Sequence, residues 1–195
     1  SSKVGFGYDS NGDLYMGNVA GSDTLDYSID SGSSLDYIQS DDGSVIDVLV
    51  VYTAEALTAV GGTTAAMETL IDLAESETNE AYSNSGIAHV INVVHKQQIN
   101  FSETGLSNGA ILSSAQNGSI SGLHDLRDTH GADLVHVLVK GDDTSCGIAY
   151  LMAAVNPTFE EFAFGVTQTN CATGNYTFGH EIGHNMAARH DRAVD

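Results

Sequence analysis

The stretch Thr177–Asp191, reading T-F-G-H-E-I-G-H-N-M-A-A-R-H-D, constrains the fold of this chain more than any other. His180 and His184 lie four positions apart with Glu181 between them. On an α-helix that spacing stacks both imidazoles on one face, one turn apart. His190 follows six positions after His184, and six helical steps carry a side chain roughly 240° from its starting face. For the three rings to meet, the helix has to stop near Met186 or Ala187 and the chain has to turn back. Neutral imidazole is a good zinc ligand, and two from one rigid helix supply half of a tetrahedral site. His180, His184 and His190 are therefore the candidate ligands of one zinc ion.

Three histidines leave one coordination position open, the arrangement of a catalytic rather than a structural site. Glu181, beside the first ligand, is the candidate catalytic residue, a general base able to take a proton from an attacking water. The H-E-x-x-H pattern is the signature of zinc peptidases. Its extension to H-E-x-x-H-x-x-G-x-x-H resembles the metzincin superfamily, in which the glycine makes the turn. Here that position holds Ala187. Alanine costs about 1–2 kcal/mol in a left-handed conformation. Asn185 tolerates that region and is a second candidate for shaping the turn.

Asp191 after the last histidine resembles the reprolysin (adamalysin-like) group. So do three upstream stretches: D-L-R-D-T-H-G-A-D-L-V-H, S-C-G-I-A-Y-L-M and C-A-T-G-N-Y-T-F-G-H-E. The resemblance runs from about Val45 to Asp195 and is closest in kind to the bacterial, secreted branch. It implies a zinc-dependent endopeptidase acting on protein or peptide substrates. It also implies an edge strand bordering the cleft, on which Gly147, Ile148, Ala149 and Tyr150 would pair with an extended substrate. A further subdomain with a methionine-containing turn would follow the third histidine, and nothing in these residues can be assigned to it. The competing reading is a non-catalytic zinc-binding module or an inactive precursor fragment; the presence of Glu181 favours the enzyme, because a structural site needs no general base.

The charge balance narrows the partners. Six Lys and Arg stand against 26 Asp and Glu, a formal charge of −20. Such a chain has no basic patch for phosphates, which argues against nucleic acid, and it is repelled by anionic membrane surfaces. The surplus carboxylates are compatible with bound calcium, to which the sequence assigns no site. No apolar run approaches the ~18 residues that span a bilayer, and no signal peptide is visible, so an exported protein would already have lost it.

The two cysteines, Cys146 and Cys171, are 25 positions apart. An even count in a chain read as exported favours a disulfide, worth about 3.5 kcal/mol in the loop-entropy model. Buried thiols and metal ligands are the alternatives, though no C-x-x-C spacing supports the latter.

Periodicity gives an α/β (α+β) organisation in two parts. Residues 1–44 alternate short apolar stretches (Val4–Tyr8, Leu14–Met16, Leu25–Ile29, Leu35–Ile38) with turn-formers, as in a small antiparallel β appendage. By the family resemblance this part is propeptide-like, so the chain's own N-terminal segment is a candidate partner of the site. Asp9, Asn11 and Asp13 mimic the opening of a calcium loop, but Leu14 and Ala20 fall where such a loop needs Gly and Glu, so a hairpin turn is the reading. Residues 45–195 form the catalytic part. Strands are expected at Val45–Tyr52, Ala88–Lys96, Ala132–Val139, Ile148–Met152 and Phe162–Val166. Helices are expected from Thr63 or Thr64 to about Ser83, at Leu123–His130, and from about Tyr176, with one short helix inside 102–121. Met67, Leu70, Ile71, Ala74 and Ala81 make the core face of the first helix. The order of elements implies a mixed twisted sheet of about five strands with packed helices. His136 alternates with Val135 and Val137 and reads as a hydrogen-bonded interior histidine.

Overall fold

A computed structural model describes residues 4–8, 14–18, 45–141 and 145–190. The chain divides into two compact units, Ser1–Gln39 and Ser40–Asp195. In the first, β1 (Val4–Tyr8) and β2 (Leu14–Asn18) pair antiparallel, with Phe6 opposite Met16. The turn at Asp9–Asp13 and the expected strands Leu25–Ile29 and Leu35–Ile38 lie outside the described residues.

The second unit is built on a mixed sheet. Its strands are β3 (Val45–Tyr52), β4 (Val90–Gln98), β5 (Leu134–Val139), β6 (Gly147–Ala149) and β7 (Phe164–Gln168). Their order is β4-β3-β5-β7-β6; all neighbours are parallel except β6, which runs antiparallel to β7 at one edge. The helices are α1 (Ala54–Ala59), α2 (Thr64–Asn84), α3 (Asn108–Gln116), α4 (Leu123–His130) and α5 (Thr177–Asn185). A 3-10 helix, Pro157–Phe162, precedes β7. None of the described helices is long and apolar enough to cross a membrane.

Strand side chains alternate faces, and β3 shows what that does here. Val48, Val50 and Tyr52 join Met67, Ile71 and Ala74 of α2 and Phe178 and Ile182 of α5 in one core. Leu49 and Val51 join Ile111 and Leu112 of α3 and Leu123 of α4 in the other. A strand buried on both faces reads as an unbroken apolar run, which is why β3 keeps its expected bounds. Leu123–His130 also holds, closed by Gly131 at φ 59, a left-handed position natural to glycine.

Four expectations shift. β4 starts two residues later than expected and ends with Lys96, Gln97 and Gln98 paired to Val50, Val51 and Tyr52; it is an outer strand, so polar residues continue its ladder at no burial cost. β7 is displaced toward Gln168 because the 3-10 turn takes Phe162, and Thr167 and Gln168 are buried with polar partners, Thr167 Oγ1 with His136 and Gln168 Nε2 with Ser145 O. β6 ends at Ala149, since Met152 N donates instead to His184 O at 3.0 Å. On α2 the buried positions after Ala74 are Thr78 and Tyr82, while Leu70 and Ala81 are only half-buried. Thr78 satisfies its hydroxyl on Ala74 O, 2.7 Å away, so it can enter the core. The short α1 was not anticipated; Thr53 Oγ1 caps it by accepting from Ala56 N at 2.9 Å, a local signal visible only once the helix exists.

Candidate active site

Helix α5 carries the site because its two faces do different work. Phe178 and Ile182, four apart, are fully buried and anchor it to the sheet. His180 and His184, also four apart, lie on a different face, with ring centroids 4.6 Å from one another. Gly179 lets α5 approach α2: a Cβ there would sit 2.7 Å from Thr78 Oγ1. Tyr82 Oη donates to Gly179 O at 2.8 Å, and burial pushes its phenol up to about 12, so it remains a donor.

The helix ends at Asn185 and Ala187 takes a left-handed conformation, φ 69. The turn is therefore made by alanine itself, and the alternative role for Asn185 does not hold. Asn185 is the buried last residue of the helix, where Nδ2 donates to Tyr150 O at 2.9 Å and Phe164 O at 3.2 Å. It clamps the end of α5 to β7 and to the segment leaving β6.

The turn returns His190 to the other two rings. Its Nε2 lies 3.2 Å from His180 Nε2, and ligand atoms of His180, His184 and His190 all fall within 4.8 Å of one another. Two nitrogens bound tetrahedrally at 2.0–2.1 Å would be about 3.3 Å apart, so the His180–His190 pair stands at zinc-ligand spacing, and the three together form a group able to hold a metal ion. His184 Nδ1 lies 2.8 Å from Ala188 O. A carbonyl can only accept, so Nδ1 carries the proton and Nε2 keeps its lone pair for a metal, the usual outer support of a ligating histidine. His180 is held below the ordinary imidazole range by burial and by the neighbouring His184 and His190, which favours the neutral, ligating form.

Glu181 is buried, and burial raises its carboxyl to about 7. It is pressed against β6: a Cβ on Gly147 would lie 2.8 Å from Glu181 Cγ and Oε1 and 2.9 Å from Thr177 Cγ2. Only a glycine lets the edge strand pass this close. Along β6, Ile148 is exposed, whereas Gly147, Ala149 and the following Tyr150 are half-buried. Cys146 and Cys171 form a disulfide with Cα atoms 5.6 Å apart, fixing the start of β6 to the end of β7. Gln168 N donates to Cys146 O at 2.8 Å in the same place.

Among the other histidines, His136 is fully buried, with Nε2 2.8 Å from Thr167 Oγ1 and its ring edge-on to Phe178. His95 and His130 stack on each other with centroids 3.8 Å apart. Among the described residues the one cluster of three metal-ligating side chains is the His180–His184–His190 group. Sequence reasoning missed Asn185 as a clamp, Tyr82 and Thr78 as the seat of α5, and Arg189 at the rim of the site. Each acts through contacts far away in sequence, which periodicity does not reveal.

An α/β sheet whose antiparallel edge runs beside a helix with converging imidazoles and a buried carboxylate defines a metallopeptidase-like centre. A reprolysin-type family model, described as Metallo-peptidase family M12, matches residues 42–195, and the chain belongs to that family. It is 36% identical over 161 residues to a peptidyl-Asp metalloendopeptidase of Xanthomonas campestris pv. campestris, with 80% of this chain and 37% of the relative covered. A protein of the same name from Stenotrophomonas maltophilia is 36% identical over 154 residues, covering 78% and 35%. One from Pseudomonas aeruginosa is 29% identical over 163 residues, covering 77% and 26%. The chain thus spans about a quarter to somewhat over a third of the length of these curated relatives. A chain in a solved structure described as a chaperone–substrate complex has a TM-score of 0.61 at 20% identity, covering 79% of this chain and 25% of that one; this likeness concerns the fold.

Proposed function

We propose that this chain is the catalytic part of a zinc-dependent endopeptidase. The observation that carries the reading is the convergence of His180, His184 and His190 within ligand distance on one helix and its terminal turn. These three would hold the ion through ring nitrogens, His184 with its tautomer fixed by Ala188 O. Bound zinc would supply Lewis acidity, bringing the pKa of a water toward neutrality and polarising the scissile carbonyl. Glu181 takes the proton from the attacking water and passes it to the departing amine. Gly147, Ile148, Ala149 and Tyr150 present an edge to which an extended substrate backbone adds as a further strand; support comes from β6 pairing, among the described residues, with β7 alone. The relatives' name, peptidyl-Asp metalloendopeptidase, supports an aspartate in the substrate. We further read the protein as extracellular, in keeping with its bridged cysteines; activity confined to washed cells, with none in the medium, would contradict this.

Zinc stoichiometry measured together with peptide cleavage, with and without chelator, tests the reading. The Glu181→Gln form should keep its zinc and lose about 10²–10⁴-fold in activity, the usual worth of general acid–base help. Undiminished turnover by that zinc-loaded variant would refute the mechanism. Loss of zinc would make Glu181 a ligand or a support instead of a base.

A further inference from the structure

Two of the three candidate ligands, His180 and His184, border a cleft of about 270 Å³. His180 and His184 form one side; Tyr82, Ile87 and Tyr176 contribute apolar or aromatic wall, and Arg189 stands at the rim. Among the described residues no aspartate or glutamate lines it, although the chain carries 26 of them. Among the described lining residues the one formally cationic side chain is Arg189, next to the candidate ligand His190.

The scarcity of positive charge sharpens this. Of the six lysines and arginines, Lys3 and Arg192 lie outside the described residues. Lys96 is paired with Asp72. Arg127 is spent on backbone carbonyls, with Nε to Ala132 O, Nη1 to Glu160 O and Nη2 to Asp133 O. Lys140 borders a different pocket, together with Glu55 and Glu103. Arg189 is exposed, and among the described residues its one hydrogen bond is a long one, Nη2 to Ala153 O at 3.4 Å, with no carboxylate partner. That bond holds the guanidinium between the ligand turn and the segment following β6, and leaves other N–H groups of its fork for a ligand.

We propose that Arg189 is a specificity-determining residue that receives the side-chain carboxylate of an acidic substrate residue next to the scissile bond. This deepens the peptidase reading and rests on it. A guanidinium fork matches a carboxylate with two parallel charge-assisted hydrogen bonds. Elsewhere a surface of net charge −20 repels an acidic peptide, so productive approach is favoured where this cation lies. A carboxylate at a chain terminus has the same chemistry, and peptides blocked at both ends separate the two sources.

The test uses blocked peptides that differ only in Asp, Asn or Lys beside the scissile bond. Their binding to the zinc-loaded Glu181→Gln chain is measured by calorimetry, and their kcat/KM is measured with the Glu181 chain. Arg189→Ala should lower the Asp-over-Asn preference about tenfold or more in both readouts, as expected for loss of a charge-assisted pair. Arg189→Lys should restore part of it, and Arg189→Glu should shift preference toward the Lys peptide. Arg192→Ala should keep the wild-type ratio. An Asp-over-Asn ratio unchanged by Arg189→Ala, or lost equally in Arg192→Ala, overturns the proposal. If the wild-type chain cleaves none of the peptides in a chelator-sensitive way, the peptidase reading fails, and the binding ratio still decides the role of Arg189.

Discussion

Ala187 is the residue on which the site's geometry turns. Its φ of 69 places an ordinary L-residue in the left-handed region, at a cost of about 1–2 kcal/mol. Glycine would remove that cost while adding about 0.5–1 kcal/mol of unfolded-state entropy. Ala187→Gly should therefore raise stability by up to about 1 kcal/mol without displacing His190, read by urea unfolding and zinc affinity. A clear loss of stability would mean that the alanine methyl packs in a way that offsets its strain. At this scale the sequence was legible where chemistry is local. The spacing of His180, His184 and His190 carried the candidate ligand set and the need for a turn, and the structure brings the three rings together. The partners of Asn185 at Tyr150 and Phe164, and the place of Arg189 at the cleft, depend on which distant segments fold against them, so no nearby pattern announces them.

Among the elements, β6 is the shortest strand and the one most closely fitted to the chemistry. It is held by the disulfide at its start and by Asn185 and His184 O beyond its end, with Gly147 seated against Glu181. Gly147→Ala should force Glu181 or the strand to move, because a 2.8 Å approach is too close for a methyl group. We expect about 1–3 kcal/mol of destabilisation from overpacking and a drop in kcat larger than any change in zinc content. Full activity in that variant would show that the carboxylate can shift without consequence. The sequence indicated β3, α4 and α5 well, since burial on two faces or clear helical spacing imprints itself on composition. It placed β4, β6 and β7 less well. Their ends are set by which neighbour each pairs with, and polar residues such as Gln97 or Thr167 extend a ladder as readily as apolar ones when a partner strand is present.

At the scale of the whole molecule, His136 ties the sheet to acid stability. Burial holds its imidazole down to about 3, against about 6.5 in an unfolded chain. The folded state thus binds fewer protons between those values. Its stability is complete above about pH 6.5 and declines as pH falls toward 3, by up to about 1.4 kcal/mol per pH unit from this residue alone. Urea midpoints between pH 7 and pH 4.5 should fall more steeply for the wild type than for His136→Gln; parallel curves would show that other groups govern the acid limb. All three candidate ligands belong to a single short stretch, His180 to His190, while most of the residues that close the two cores come from strands and helices elsewhere. Metal would therefore staple one helix to its own exit turn and bridge no distant parts of the chain. An unfolded polypeptide keeps those imidazoles close in sequence and retains some grip on the ion, which trims the stabilisation that binding confers. Stripping the ion should slacken the turn and abolish turnover while far-UV circular dichroism stays unchanged, so the scaffold would outlast its own catalytic competence and regain it on simple re-addition of zinc.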